Sequence, residues 1–199
     1  MDKKEKKQRT PEQKKKRMVL FGASGLVVLA LVVAGWIWHE QPSFCNAVCH
    51  APMDRYVHDY YDKNNTNLIA AHGKQGDGIT CLECHIPTIA QQLTEVKHWV
   101  GGTFSDPLAK RNLGNDFCLN EHCHNVTVDE LRELTSSLSF NPHDWTYHGE
   151  QDCASCHRMH DVSVMSCASC HGEAKEVMPE TWITPAEALD QGLEFFPKS

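Results

Sequence analysis

Ten cysteines fall into five pairs, and a histidine follows the second cysteine of every pair. The motifs read CNAVCH (45–50), CLECH (81–85), CLNEHCH (118–124), CASCH (153–157) and CASCH (167–171). Paired cysteines serve in disulfide bonds, in zinc sites and in covalent attachment of haem c. A disulfide framework needs no histidine here, and zinc sites use isolated histidines or H-x3–5-H pairs. Cys-x-x-Cys-His is the attachment signature of haem c, so the motifs predict bound haem.

In this interpretation both cysteines of a motif bond covalently to the haem, and the adjacent histidine ligates the iron. We predict five covalently attached haem c groups. The attachment residues are Cys45, Cys49, Cys81, Cys84, Cys118, Cys123, Cys153, Cys156, Cys167 and Cys170, and the proximal ligands are His50, His85, His124, His157 and His171. The first and third motifs have longer spacers, and at the first a singly attached haem or no haem stays an alternative.

The surplus of histidines indicates second axial ligands, which low-spin haems bind on the opposite face of the iron. The candidates are His72, His143, His148 and His160, with Met53 for the first haem. His160 is too close to His157 to reach the far face of the same haem, so we expect it to bind a neighbouring iron. His143 and His148 are expected to serve two different irons. For His58 and His98 the sequence leaves open whether they are ligands. His39 and His122 are expected not to be ligands.

The segments that position the motifs begin with a membrane anchor. Residues 1–17 carry nine Lys or Arg and three acids, and residues 18–38 carry no charge. As a helix, the uncharged run is about 30 Å long, enough to cross the hydrocarbon of a bilayer. Trp36 and Trp38 close it where an interfacial aromatic belt would lie. We predict an uncleaved transmembrane helix instead of a cleaved signal, which would have a shorter apolar run.

The basic residues before the span predict a cytoplasmic N-terminus and an extracytoplasmic haem domain, held at the cytoplasmic membrane. From residue 39 onward there are ten Lys or Arg and twenty-three Asp or Glu, a balance that argues against nucleic acid as a partner. We divide this part into 39–105 with the first two motifs, 106–182 with the last three, and an amphipathic tail, 183–199.

The predicted fold is mostly α with extensive loops: one transmembrane helix and a small, haem-packed multihaem cytochrome c domain with little β structure. Ile89, Leu93, Val96 and Val100 form one stripe, which predicts a helix over 88–100. This helix packs on a haem or lies on the membrane surface, and packing is the default expectation. A capping-box start at Thr184 to Glu187 predicts a helix over 184–196. Its modest apolar face would consist of Leu189, Leu193 and Phe196.

The N-terminal half resembles the membrane-anchored quinol dehydrogenase cytochromes of the NapC/NirT type. The resemblance rests on the single anchor and on the segments FCNAVCHAPM and HGKQGDGITCLECHIP. It implies a quinol site beside the first haem, with Met53, Asp54 and Lys97 at the matching positions. The family's first motif differs, because only two residues separate its cysteines and its methionine lies one position closer to the histidine.

The C-terminal half resembles the last three haem segments of the multihaem domain in flavocytochrome c fumarate reductases. The shared features are the histidines of PHDWTYH, then CASCHRMH, then a final CASCH. In those enzymes the domain supplies electrons to a flavin domain, and this sequence has no dinucleotide-binding fingerprint. The resemblance therefore implies a separate flavoprotein partner.

Together the resemblances predict electron transfer from membrane quinol to an extracytoplasmic flavoprotein reductase. Substrates of such a reductase would be fumarate, urocanate or compounds like cardiac glycosides. Two alternatives remain at this stage: a donor subunit of a multihaem nitrite reductase, and a haem enzyme that reduces a small molecule at the first haem. An electron-storage or metal-reducing conduit is a further alternative.

Overall fold

The computed structural model describes residues 10–73, 76, 78–111 and 113–193, with the exception of the His50 side chain. These residues form helices joined by loops, and a single parallel bridge from Val164 to Ile183 is the only β pairing among them. The mostly helical fold predicted from the sequence is confirmed. The α-helices are Pro11–His39 (α1), Pro42–Tyr61 (α2), Leu68–His72 (α3), Cys81–Cys84 (α4), Ile89–Val100 (α5), Asn115–Cys118 (α6), Val128–Leu134 (α7) and Pro185–Asp190 (α8). Short 3-10 helices cover Cys153–Ser155, Ser166–Ser169 and Gly172–Val177.

Helix α1 is long and apolar enough to cross a membrane, and the rest of the chain buries none of its residues. It begins before the apolar run because Thr10 and Gln13 form a capping box and Pro11 occupies the first helical position. The basic residues 14–17 therefore belong to its first turns. At the other end Phe44 of α2 packs edge-on against Trp38, with ring centres 5.1 Å apart.

Helix α2 carries the whole first motif together with Met53 and Asp54. Its backbone leaves helical geometry at Cys49, three residues before Pro52. Proline has no N–H to bond to the carbonyl four residues earlier, which explains a kink at this place. The motif thus lies across a bend between two helical segments.

Helix α3 connects the two halves of the haem domain. It contacts α2, and Val57 and Tyr60 of α2 are buried, as are Ile69 and Ala70 of α3. The backbone N–H groups of Leu68 and Ile69 donate to the carbonyls of Arg158 (3.3 Å) and Met159 (2.8 Å). The fourth motif is therefore tied directly to the segment that carries His72.

Helix α8 closes the C-terminal region. Its N-terminus has the predicted capping box between Thr184 and Glu187, but it ends at Asp190 and does not continue to 196. Gly192, at φ 70°, ends the helix with a Schellman-type hydrogen bond from Leu193 N–H to the Ala188 carbonyl.

The apolar face predicted for that helix is wrong in one of its residues. Leu193 packs with Ala188 against Val164 and Ile183, whereas Leu189 is exposed. Phe196 lies outside the described residues.

Helix α5 forms within one residue of the predicted range, with Thr88 and Gln91 as its capping box. All four residues of its apolar stripe are exposed, with Leu93 at 66% and Val100 at 73%. The half-buried side chains of this helix are Gln92 and Trp99. Gln92 contacts the ring of His39 at the end of α1, with the two nitrogens 3.1 Å apart. Helix α5 therefore lies beside the end of the membrane helix.

Candidate haem-binding sites and histidine pairs

Four proximal histidines each lie beside one of the predicted distal histidines. The pairs and their ring-centre distances are His72–His124 (5.9 Å), His85–His160 (6.0 Å), His143–His157 (6.3 Å) and His148–His171 (5.9 Å). Every pair joins the proximal histidine of one motif to a histidine outside that motif. His143 and His148, which the sequence assigns to two different irons, lie beside different proximal histidines.

The spacing of the pairs fits two imidazoles on opposite faces of one iron. With each nitrogen about 2 Å from the metal, and each ring centre about 1.2 Å beyond the nitrogen, the centres would be about 6.4 Å apart. Among the described residues, no group of three or more His, Cys, Asp or Glu is arranged to hold a metal ion by itself. Paired histidines without further protein ligands suit a haem iron, because the porphyrin supplies the other four donors.

The orientation of two distal rings is set by hydrogen bonds at Nδ1. His72 Nδ1 lies 2.9 Å from the Leu68 carbonyl, to which it donates. His143 Nδ1 lies 3.2 Å from Thr135 Oγ1, whose own proton is directed to Leu131 or Asn141. A proton on Nδ1 leaves Nε2 with a free lone pair, and this is the tautomer that ligates a metal through Nε2.

Burial keeps several of these imidazoles neutral. It lowers the pKa of His160 to about 4, and the nearby His85 adds to the effect. The pKa of His157 is also lowered to about 4, mainly because the surrounding protein atoms desolvate the ring. Burial lowers the pKa of His85 and His143 as well. Neutral rings can bind iron at physiological pH without first losing a proton.

The cysteines show that the first three motifs lie close to one another. All ten thiols are described, and none is in a disulfide. Cys81 of the second motif is hydrogen-bonded to Cys45 of the first and lowers its pKa to about 7. Cys84 interacts electrostatically with Cys118 and Cys123 of the third motif. Covalent haem attachment turns these thiols into thioethers, so the lasting observation is the proximity of the sulfur atoms.

The later motifs are joined by shorter and better-defined contacts. Asn115, which opens α6, accepts a hydrogen bond from the Cys153 N–H at 2.7 Å and donates to the Gln151 carbonyl at 2.9 Å. Ser166 Oγ donates to the Ser155 carbonyl at 2.8 Å, which links the fourth motif to the fifth. Motifs that are consecutive in the sequence therefore also lie close to one another in space.

The predicted residues around the first motif are less closely associated. Met53 is half-buried on α2, and the His50 side chain lies outside the described part of the structure. Asp54 is exposed and accepts a hydrogen bond from Asn46 at 3.2 Å. Lys97 is exposed in the last turn of α5, and among the described residues it forms no ion pair with Asp54. The structure does not bring the two predicted quinol-site residues together at ion-pair distance.

Comparison with known proteins decides the family. The chain is 42% identical over 190 residues to the cytochrome c-type protein Cgr1 of Eggerthella lenta, and the match covers 82% of this chain and 87% of that protein. This chain belongs to the same family of c-type cytochromes. A family model described as cytochrome c3 matches residues 102–172, which contain the last three motifs. No solved structure matches the chain.

Family membership establishes the general chemistry of the cytochrome. It is a multihaem c-type electron-transfer protein with covalently bound haem c. The zinc and disulfide alternatives for the cysteine pairs are therefore set aside.

The other histidines of the cytochrome lie apart from the proximal ones. His39 contacts Phe44 and Gln92, and His98 Nδ1 lies 2.8 Å from Thr103 Oγ1. The remaining two, His58 and His122, are exposed beside their neighbouring acids.

Sequence reasoning missed several residues that support the histidine pairs of the cytochrome. Trp182 packs edge-on against His157 with ring centres 4.9 Å apart, and Tyr56 packs against His160 at 5.1 Å. Asp161 forms ion pairs with Arg55 (2.8 Å) and Lys110 (3.2 Å). These contacts join segments far apart in the chain, and no local sequence motif predicts them.

Proposed function

We propose that this cytochrome carries electrons from a membrane quinol to an extracytoplasmic flavoprotein reductase of the fumarate-reductase type. The observation that supports this most strongly is the order of the motifs. The first motif lies on α2 next to the end of the membrane helix, and each later motif lies close to the one before it. A donor dissolved in the membrane and an acceptor outside it would thus meet opposite ends of one series of sites.

We infer that each of the five motifs attaches one haem c, which when bound supplies one-electron oxidation and reduction at its iron. The chain's part is to hold each iron between two side chains. We assign the axial pairs to His85–His160, His124–His72, His157–His143 and His171–His148, because their spacing fits opposite faces of one iron. For the first site we retain His50 with Met53.

The proposed orientation places the N-terminus in the cytoplasm and α2 at the outer surface of the cytoplasmic membrane. Helix α5 would lie on that surface. Gln92 fixes it to His39 at the end of α1, and Glu95, on the side toward the motifs, interacts with Cys45 and Cys49. The exposed stripe of Ile89, Leu93, Val96 and Val100 covers a different face of the helix, which is therefore free to contact lipid.

Oxidation of a quinol releases two protons with its two electrons, and exposed groups near the first motif would accept them. Asp54 lies on the same helix as this motif, and Lys97 lies on α5, which reaches the same membrane end. We retain Asp54 as a proton acceptor of the proposed quinol site and Lys97 as a positively charged residue of the same site.

A reconstitution experiment tests the quinol side of the proposal. The full-length protein in vesicles is reduced with a menaquinol analogue or with dithionite, and the reduced haem absorbance is followed in time. Asp54→Asn and Lys97→Gln should slow quinol-driven reduction by about a hundredfold, the lower end of the range for loss of an acid–base group, and leave dithionite reduction unchanged. The matched controls are Asp59→Asn, within α2, and Lys63→Gln, just after the end of α2. Equal quinol rates in all variants would exclude Asp54 and Lys97.

The acceptor is tested by mild detergent extraction from native membranes, followed by electron transfer from the reduced cytochrome to each co-purifying protein. A flavoprotein that is reduced and then reoxidised by fumarate, urocanate or a cardiac glycoside supports the proposal. A multihaem reductase oxidised by nitrite would replace it with the nitrite-type function.

A further inference from the structure

A positive charge lies inside the protein between two of the proposed iron ligands. Arg158 follows His157 directly and precedes His160 by two residues, and it is only 8% exposed. Its backbone is held on both sides, because its N–H donates to Ser163 Oγ at 3.1 Å and its carbonyl accepts from Leu68 N–H at 3.3 Å. The side chain therefore has little freedom to leave the interior.

The guanidinium of Arg158 is incompletely paired. Its Nη1 is buried, and no hydrogen-bond partner for it exists among the described residues. Burial lowers the pKa of Arg158, but an arginine does not deprotonate under physiological conditions. A buried cation without an anion is strongly destabilising, so the folded protein needs an acid at this place.

Among the described residues, no acid forms an ion pair with this guanidinium. The nearest carboxylate in sequence, Asp161, interacts electrostatically with Arg158 but is engaged by Arg55 at 2.8 Å and by Lys110 at 3.2 Å. A bound group that carries a carboxylate would supply the partner that the described residues lack.

We propose that Arg158 binds a propionate carboxylate of a haem held at one of the two adjacent histidine pairs, His143–His157 or His85–His160. A guanidinium matches a carboxylate with two parallel N–H···O bonds, which positions as well as neutralises it. Arg158 is then a positioning residue for that haem, and it keeps a positive charge near the iron. The inference rests on the haem attachment and axial pairing proposed above.

The test compares Arg158→Gln with Arg158→Lys in the holoprotein, using potentiometric titration and resonance Raman of the propionate bending modes. Loss of the buried charge should shift one midpoint potential to a more negative value and change one propionate band. The lysine variant keeps the charge without the two-pronged geometry, so it should restore most of the potential but not the band. Arg132→Gln, at an exposed arginine of α7 that pairs with Asp129, should shift neither.

Two further results separate the possible outcomes. The haem count from intact mass is measured first, since fewer haems in the unmodified protein would contradict the attachment proposal and not the role of Arg158. A cycle with His160→Ala then identifies the haem: effects that do not add assign the propionate to the His85 site, and additive effects assign it to the His157 site. If both Arg158 variants match the unmodified protein in potentials and Raman bands, the proposal is overturned.

Discussion

The C-terminal region and the connection between the two halves use histidine pairs of different kinds. His143 with His157, and His148 with His171, come from one continuous segment of the C-terminal region. His85 with His160, and His72 with His124, join the N-terminal half to the C-terminal half. The local pairs can form wherever their own segment folds, whereas the long-range pairs require both halves to be in place. Ligation of the long-range pairs would therefore couple haem binding to the assembly of the whole domain.

The ring orientations divide the four pairs in a second way. His143–His157 and His85–His160 have nearly parallel rings, at 2° and 25°, whereas His72–His124 and His148–His171 are close to perpendicular, at 90° and 78°. For ferric low-spin haem, parallel axial rings give rhombic EPR signals and perpendicular rings give highly anisotropic ones. The parallel pairs can thus be distinguished from the perpendicular pairs in the oxidised protein.

The largest expected effect comes from breaking a long-range pair. His160→Ala should remove one rhombic low-spin signal and create a high-spin signal, because one iron loses an axial ligand. It should also lower the unfolding temperature, because one connection between the two halves is lost. His143→Ala should also remove a rhombic signal but lower the unfolding temperature less, since its pair is local. EPR and thermal unfolding followed by circular dichroism measure both effects.

Added imidazole should restore the low-spin signal of either variant, since it replaces the missing ligand. His58→Ala is the matched control, because that side chain is 76% exposed and lies beside Asp59 and no proximal histidine. An unchanged EPR spectrum in His160→Ala would remove the long-range pair from the ligand set.

A smaller effect is expected within the C-terminal region, at the contact between the third and fourth motifs. Asn115→Ala leaves the half-buried Cys153 N–H without its acceptor, which costs about 1–3 kcal/mol of unfolding free energy. Chemical denaturation of the holoprotein measures this loss. Asn64→Ala, at an exposed side chain with no hydrogen bond among the described residues, should change stability by less than about 0.5 kcal/mol. Equal stabilities of the two variants would show that Asn115 does not hold the motifs together.

The smallest effect is expected at the ion pairs of Asp161, of which the pair with Arg55 joins the two halves. Asp161→Asn removes the partner of Arg55 and Lys110, whose side chains are about half or more exposed, and should cost about 0.5–1 kcal/mol. Asp129→Asn breaks a fully surface pair with Arg132 within α7 and should cost less. Denaturation at low and high salt compares them. A loss in Asp161→Asn that does not decrease with salt would contradict an electrostatic contact between the halves.

Features encoded by local patterns were predictable from the sequence. The anchor, the start of α5 and the start of α8 depend on uncharged runs and capping boxes, whose physics involves only neighbouring residues. Helix α2 was not predicted, because Pro52 and the polar residues of the first motif interrupt any apolar stripe. The end of α8 at Gly192 was missed, although glycine after a helix is the common stop signal.

By itself, the sequence determined the chemistry of this protein: cysteine pairs followed by histidine specify haem c attachment within a few residues, and a surplus of histidines announces further ligands. Only the tertiary structure decided which histidines meet. His160 lies beside His85 and not beside its neighbour His157, and His72 lies beside His124 and not beside the motif that follows it. The physical reason is that the two rings of a pair would bind one iron from its opposite faces. The backbone contacts that bring distant segments into that arrangement, such as those of α3 with Arg158 and Met159, leave no periodic signal in the sequence.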